Sequence, residues 1–223
     1  YWELGPLSRM TASDKPAEGP VMDFFFIQMS DPQFGMFARL SGLDEERIQG
    51  FRRRQGWNIL PAAKTVGFAQ ETVLYEKAIA AANRLDPAFV VISGDFVEDR
   101  NDPNQLAELR RITAKLHSHI PVHWAPGNWD VGNTPTLKTL EQYRGNFGDD
   151  YYSFQQGGSS FIVLNSCVGF DDSQIPGEWD RQVAFLRISL TEACNRSSDH
   201  IVIFLHHPLY SYDPSEEDSW AVI

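Results

Sequence analysis

The chain repeatedly runs an apolar stretch of strand length into a polar, ligand-type side chain, and this recurrence limits what it can fold into. The clearest case is His123-Trp124-Ala125-Pro126-Gly127-Asn128-Trp129-Asp130. The β-branched and aromatic run 121–125 predicts a buried strand. Pro126-Gly127 then lets the backbone turn sharply, and Asn128 and Asp130 follow at once. By itself Gly-Asn-Trp-Asp is no more than a polar turn. Its weight comes from similar strand ends elsewhere: residues 21–29 run into Asp31 and Gln33, 89–93 into Gly94-Asp95, and 201–205 into His206-His207-Pro208.

Helical periodicity fills the intervals. Residues 71–85 place Leu74, Ala78, Ala81, Ala82 and Leu85 on one face and stop at Asp86-Pro87. Residues 103–119 align Leu106, Leu109, Thr113 and Leu116; 137–147 align Leu137, Leu140 and Phe147; 179–194 align Trp179, Val183, Leu186, Leu190 and Cys194. Residues 151–154 and 161–166 predict a hairpin across the Gly-rich 155–159. The charged segment 36–70 predicts a loop-helix insertion, which could also rim a pocket. Residues 1–20, rich in Gly and Pro and without periodicity, predict an irregular tail before one domain over 21–223. Continuous apolar strands alternating with helices indicate an α/β sheet covered on its faces. In such sheets ligands bind outside the carboxyl ends of the strands.

Composition narrows the partners. A net charge of -11 opposes a chain whose work is gripping phosphate backbones, so nucleic acid is not expected as a partner. Bound metal ions would still let an acidic chain handle phosphate. No apolar run approaches the roughly 20 residues that span a bilayer, so no membrane partner is expected. Cys167 and Cys194, the only two cysteines, make neither a disulfide scaffold nor a zinc–thiolate site. They suit a reducing compartment, and the cytoplasm is the expected location. The sequence opens at Tyr1 without a signal-like stretch and reads as a fragment or processed product, which leaves room for a removed targeting segment.

Each strand-end residue has an ordinary explanation alone. Asp95 could cap a helix, His206 could be a satisfied core histidine, and Asp31 before Pro32 could begin a turn. Their coincidence at successive strand ends favours a metal site. Oxygen and imidazole donors without thiolate suit Mg, Mn, Zn or Fe. A carboxylate bridging two cations about 3.5–4 Å apart would activate water and clamp the oxygens of an in-line phosphoryl displacement.

Asp31-Pro32-Gln33, Gly94-Asp95, Gly127-Asn128-Trp129-Asp130 and His206-His207-Pro208 together resemble the signature of calcineurin-like metallophosphoesterases. The likeness covers residues 21 to about 212. Ser30-Asp31-Pro32-Gln33-Phe34-Gly35, Asn133-Thr134-Pro135-Thr136 and 148–154 are most similar to the subfamily named for its calcineurin-like phosphoesterase domain, whose members are serine/threonine phosphatase-like. The resemblance implies an α/β fold of two mixed sheets packed together between helices, a four-layer αββα sandwich. It implies that Asp31 and Gln33 face a first metal, that Asp95 bridges, and that Asn128 and His206 hold a second. It places Trp129 at the catalytic position, Asp130 as the carboxylate orienting that position, and Asn128 and His207 toward substrate.

Three departures accompany it. Gln33 stands where most of the family has His, and a carboxamide is a weaker ligand than imidazole. Trp129 replaces a histidine, and indole cannot transfer a proton at neutral pH. No Gly-His-x-His segment follows before Ile223, so the domain is expected to lack its C-terminal part, with an incomplete second sheet and at most one ordered metal. The function implied is metal-dependent hydrolysis of phosphomonoesters, phosphoserine or phosphothreonine by analogy, through metal-activated water. The alternative is a degenerate phosphoesterase that binds phosphate or a protein partner.

Overall fold

The computed structural model describes residues 23–56 and 58–209; the tail expected over 1–20 lies outside them. In chain order the elements are β1 (Ile27–Met29), α1 (Met36–Leu40), α2 (Glu45–Gln55), α3 (Ala69–Leu85), β2 (Val90–Ser93), α4 (Pro103–Thr113), β3 (Val122–Ala125) and α5 (Asn128–Val131). There follow α6 (Leu137–Phe147), β4 (Tyr152–Gln156), β5 (Ser159–Val163), α7 (Ser166–Phe170), α8 (Glu178–Asn195) and β6 (Ile201–Phe204). Strands β1, β2 and β3 form one sheet and β4, β5 and β6 another, packed together between helices as an α/β sandwich. The second sheet is mixed, β5 pairing antiparallel with β4 and parallel with β6. The first is parallel throughout its described strands, where a mixed sheet was expected.

Strand β2 shows why its sequence is apolar without alternation: all four of its residues are buried. Phe89 and Val91 turn toward the second sheet, where they meet Ala125, Phe161, Val163 and Phe204. Val90 and Ile92 turn the other way, into a core with Tyr75, Ile79, Leu109, Ile112 and Leu140 from the helices. The inter-sheet layer is largely aromatic. Phe26 stacks on Phe89 at 5.0 Å between ring centroids, and Phe161 meets Phe89 edge-on at 4.9 Å. His123 stacks on Phe154 at 3.5 Å, and burial pushes its imidazole down to about 4. At the second sheet's described edge, Ile201 and Ile203 of β6 are 37% and 40% exposed.

The helices form where periodicity placed them, but several present a different face. In α3 the buried residues are Glu71, Tyr75, Ile79 and Ala82, whereas Leu74 and Leu85 are more than half exposed. The buried stripe is hard to see because it starts at a glutamate. Glu71 is buried because its Oε1 accepts the N–H groups of Gly35 and Phe37 at 3.1 and 2.9 Å, holding the start of α1. In α6 Leu137 is exposed, and Leu140 and Tyr143 carry the packing. In α8 the buried side chains are Glu178, Gln182, Ser189 and Ala193, and Cys194 is exposed. Gln182 is drawn inward by Asn165, whose N–H and C=O it bonds at 2.6 and 3.1 Å.

Two boundaries moved for similar reasons. Helix α4 ends at Thr113 rather than at 119, because Asn83 takes the Lys115 carbonyl and the His117 N–H at 2.8 Å each. Side-chain bonds of this kind compete with the helix ladder. The strand expected to run to Ser166 stops at Val163, and Asn165 caps α7 through the Cys167 N–H at 3.1 Å. Among the described residues no helix is long and apolar enough to cross a membrane.

Phe89 is the centre of the inter-sheet layer. Phe89→Ala is expected to cost about 3–5 kcal/mol, read as a shift in the urea midpoint at unchanged slope.

Candidate metal centre

The site forms because parallel strands end at one edge. Strands β1, β2 and β3 finish side by side, and β6 finishes facing them across the inter-sheet layer. The chain leaves β1 through Asp31 and Gln33 and leaves β2 through Asp95, and all three adopt left-handed backbone, with φ of 55°, 29° and 55°. Non-glycine residues avoid this region at a cost on the order of 1–3 kcal/mol each, and it concentrates at functional sites. The two turns support one another. Asp31 N–H donates to the Gly94 carbonyl at 3.1 Å, Gln33 N–H to the Asp95 carbonyl at 3.0 Å, and Glu98 N–H to the Phe34 carbonyl at 3.0 Å.

The loops after β2 and β3 touch at two glycines. A Cβ on Gly94, whose φ is +85°, would stand 2.5 Å from His206 Nδ1 and 2.6 Å from the Gly127 nitrogen. A Cβ on Gly127 would overlap Asp95. Only bare backbone fits there. Asp130 locks this approach. Its carboxylate, 5% exposed, accepts three main-chain N–H groups: Asp95 and Gly127 at 2.8 Å and Phe96 at 3.0 Å. Asp130 is thus engaged as a clamp between two loops, with no bond to the Trp129 ring. Burial pushes it up to about 7, with Asp95 adding repulsion and the three N–H groups opposing the shift.

Asp31, Asp95 and His206 each present a ligand atom, all within 4.8 Å of one another. His206 Nδ1 donates to the Ser93 carbonyl at 2.8 Å. That bond fixes the ring, leaving Nε2 3.2 Å from Asn128 Oδ1 and 3.5 Å from Asp95 Oδ2. An imidazole held through one nitrogen with the other turned to carboxylates is the usual preparation of a metal ligand. Asp95 serves two purposes, because its Oδ1 also accepts the Trp129 N–H at 2.9 Å and so caps α5. Burial pushes Asp95 up to about 6; His206 and the Trp129 N–H oppose the shift and Asp31 adds to it. Asp95 is buried, His206 half-buried and Asp31 exposed, and oxygen and nitrogen acceptors converging in this way fit a hard or borderline divalent ion.

The remaining candidates sit around this cluster. Gln33 is buried, and its Nε2 donates to Glu98 Oε2 at 3.0 Å. Trp129 lies beneath the Arg39 guanidinium, whose central carbon is 4.9 Å from the ring centroid. Arg100 donates to the Trp129 carbonyl at 3.1 Å. His207 is 5% exposed, bonded through Nδ1 to Ser166 Oγ at 2.9 Å, and packed against Phe170; burial pushes it down to about 4. Its Nδ1 is thus bonded to α7. Glu98, Arg39 and Arg100 were not foreseen. The charged run Glu98-Asp99-Arg100, three residues after Asp95, was the available signal for two of them. Arg39 had none, since it sits in the charged insertion. A separate cavity of about 670 Å³, lined by Phe24, Phe26, Phe161 and Val202, opens where β1 and β6 begin, away from these residues.

Two packed sheets with carboxylates, an amide and an imidazole gathered at their carboxyl edge define an α/β sandwich built around a candidate metal centre. The profile of the calcineurin-like phosphoesterases matches residues 27–222, and the chain belongs to that family. It is 33% identical over 205 residues to the serine/threonine-protein phosphatase CPPED1 of Danio rerio, covering 88% of this chain and 60% of that protein. It is 34% identical over 217 residues to the Bos taurus protein of the same name, covering 94% and 63%. The chain thus spans about three-fifths of these curated relatives. The crystal structure of a dimetal phosphatase from Danio rerio has the same fold, with a TM-score of 0.53 at 17% identity, covering 92% of this chain and 74% of that one.

The raised Asp95 carboxyl sets a pH dependence for the metal-free protein. A carboxyl whose folded value lies above its unfolded one stabilises the fold at low pH, and that stability is lost as pH rises through the folded value. In the presence of chelator, the Asp95 contribution to the unfolding free energy is expected to fall between about pH 4 and 6, by on the order of 1–3 kcal/mol, alongside a like contribution from Asp130 and opposite ones from His123 and His207. Asp95→Asn should flatten that part of the profile. Urea melts at the two pH values check it, and an unchanged slope in the variant would contradict the assignment.

Proposed function

We propose that this chain carries a metal-dependent phosphomonoesterase site, with phosphoserine or phosphothreonine as the substrate class suggested by its serine/threonine-protein phosphatase relatives. The observation that carries the reading is the convergence of Asp31, Asp95 and His206 from separate strand ends. In this reading Asp31, Asp95 and His206 hold a divalent or trivalent ion, and Asn128 and Gln33 complete a dinuclear set in a longer chain. When bound, the metal supplies positive charge and Lewis acidity for a phosphoryl group. The chain's own residues do the rest. Ser93 orients His206, Asp130 fixes the Asp95 and Asn128 loops, and Asn128 presents an amide to the phosphate. His207, bonded to Ser166, is not assigned to substrate. A net charge of -11 supports a small or protein-borne phosphate rather than nucleic acid.

A second reading is a phosphate-binding module with little turnover. It is favoured by Trp129, an indole covered by Arg39 at the position where a proton donor would help the leaving group. The two readings are separated by adding Mn to the metal-free chain and measuring both heat of binding and hydrolysis of an aryl phosphate. The phosphatase reading expects saturable Mn binding and chelator-sensitive turnover, both reduced at least about 10²-fold by Asp95→Asn. Mn binding with phosphate affinity but no turnover would favour the binding module. No Mn binding would reject a metal centre here.

A further inference from the structure

We propose that Glu98 and Arg39 are positioning residues: Glu98 sets the Gln33 amide with its oxygen free to face a metal, and Arg39 ties this arm to Trp129. The departures at positions 33 and 129 are then parts of one linked structure. The inference rests on the metal-binding reading above.

A carboxamide has a donor end and an acceptor end of nearly the same size, and only the acceptor end ligates a cation. An imidazole at position 33 would offer a ring nitrogen directly. An amide there must first be prevented from turning the wrong end inward. Glu98 does this. Its carboxylate accepts the Gln33 Nε2–H at 3.0 Å, so Oε1 is left to face elsewhere. Gln33 cannot drift, because its main-chain N–H is bonded to the Asp95 carbonyl at 3.0 Å and it is 5% exposed.

Glu98 has its own support. Its side chain is only 10% exposed and lies in ion-pair contact with the Arg39 guanidinium. The Nε and Nη2 of Arg39 are buried without a hydrogen-bond partner among the described residues. The guanidinium is held by its ion pair with Glu98 and by stacking. The stacking partner is Trp129, at 4.9 Å, and indole is the best side-chain face for a cation. Arg39 is carried there by α1, whose first N–H groups are held by the buried Glu71. The insertion after β1 thus reaches back across the site and ends on the residue that replaces the family's histidine.

The test is a double-mutant cycle read by Mn calorimetry on the metal-free chain: parent, Gln33→Ala, Glu98→Gln, and both together. Each single change is expected to weaken Mn binding, Glu98→Gln by about 10–100-fold as for other outer-shell partners. The double variant should be no weaker than Gln33→Ala, because Glu98 acts through Gln33. Arg39→Lys, which keeps the charge, should retain most of the affinity that Arg39→Met loses. Should Glu98→Gln fail to fold with Arg39 left half-buried and without its ion-pair partner, Glu98→Gln combined with Arg39→Met removes both charges and takes its place in the cycle. Additive effects in the cycle, or parent-like Mn affinity in a folded Glu98 variant, would overturn the assignment. Mn binding that is insensitive to Glu98 removes only this assignment; absence of Mn binding in the parent removes the metal reading and this assignment together.

Discussion

The carboxylate of Asp130 is the contact on which the site depends. It takes N–H groups from Gly127, Asp95 and Phe96, and so binds the end of β3 to the end of β2. Buried backbone donors must be satisfied, and one carboxylate here satisfies three that the sheet cannot. The approach it secures is closer than any side chain allows, hence Gly94 and Gly127. Asp95, Asn128 and the capped turn of α5 hold their places only while that contact lasts. Asp95 repays part of the arrangement by accepting the Trp129 N–H.

The same loops accumulate strain and charge. Asp31, Gln33 and Asp95 sit in left-handed backbone, and Asp95 and Asp130 are both raised by burial. Such conformations persist where surrounding bonds over-determine them. Here those bonds are the main-chain links between the turns after β1 and β2. A cation among these acceptors would relieve the electrostatic part of the cost, which is why the donor set and the burial point to the same chemistry.

The second sheet contributes chiefly by delivering His206. On its helix side it is supported by a buried polar network. Asn165 donates to Asp150 Oδ2 at 2.9 Å, Asp150 accepts from Arg144 Nε at 2.6 Å, and Gln182 bonds both main-chain groups of Asn165. With each member paired, this network fixes α7 and α8 against β5, and α7 in turn holds His207 through Ser166. A fully satisfied buried network specifies one arrangement where apolar packing alone tolerates several.

Period, strand-end polarity and turn chemistry belong to short segments, and the sequence by itself determined them. The α/β alternation, the strands read at 89–93 and 201–205, the helix stop at Asp86 and the candidates Asp31, Asp95 and His206 could all be named without coordinates. Helix faces could not. The stripe of α3 turns on Glu71 and that of α8 on Gln182, polar residues buried only because partners elsewhere in the chain, Gly35, Phe37 and Asn165, need them. Asp130 presented itself as a residue orienting its neighbour, and only tertiary structure could show its oxygens spent on N–H groups of another loop. Arg39 lies 90 positions from Trp129 and stacks on it only because Glu71 on α3 fixes α1 there. A segment's own periodicity is fixed by neighbours in sequence; what a polar group is for is fixed by the donors and charges that folding brings to it.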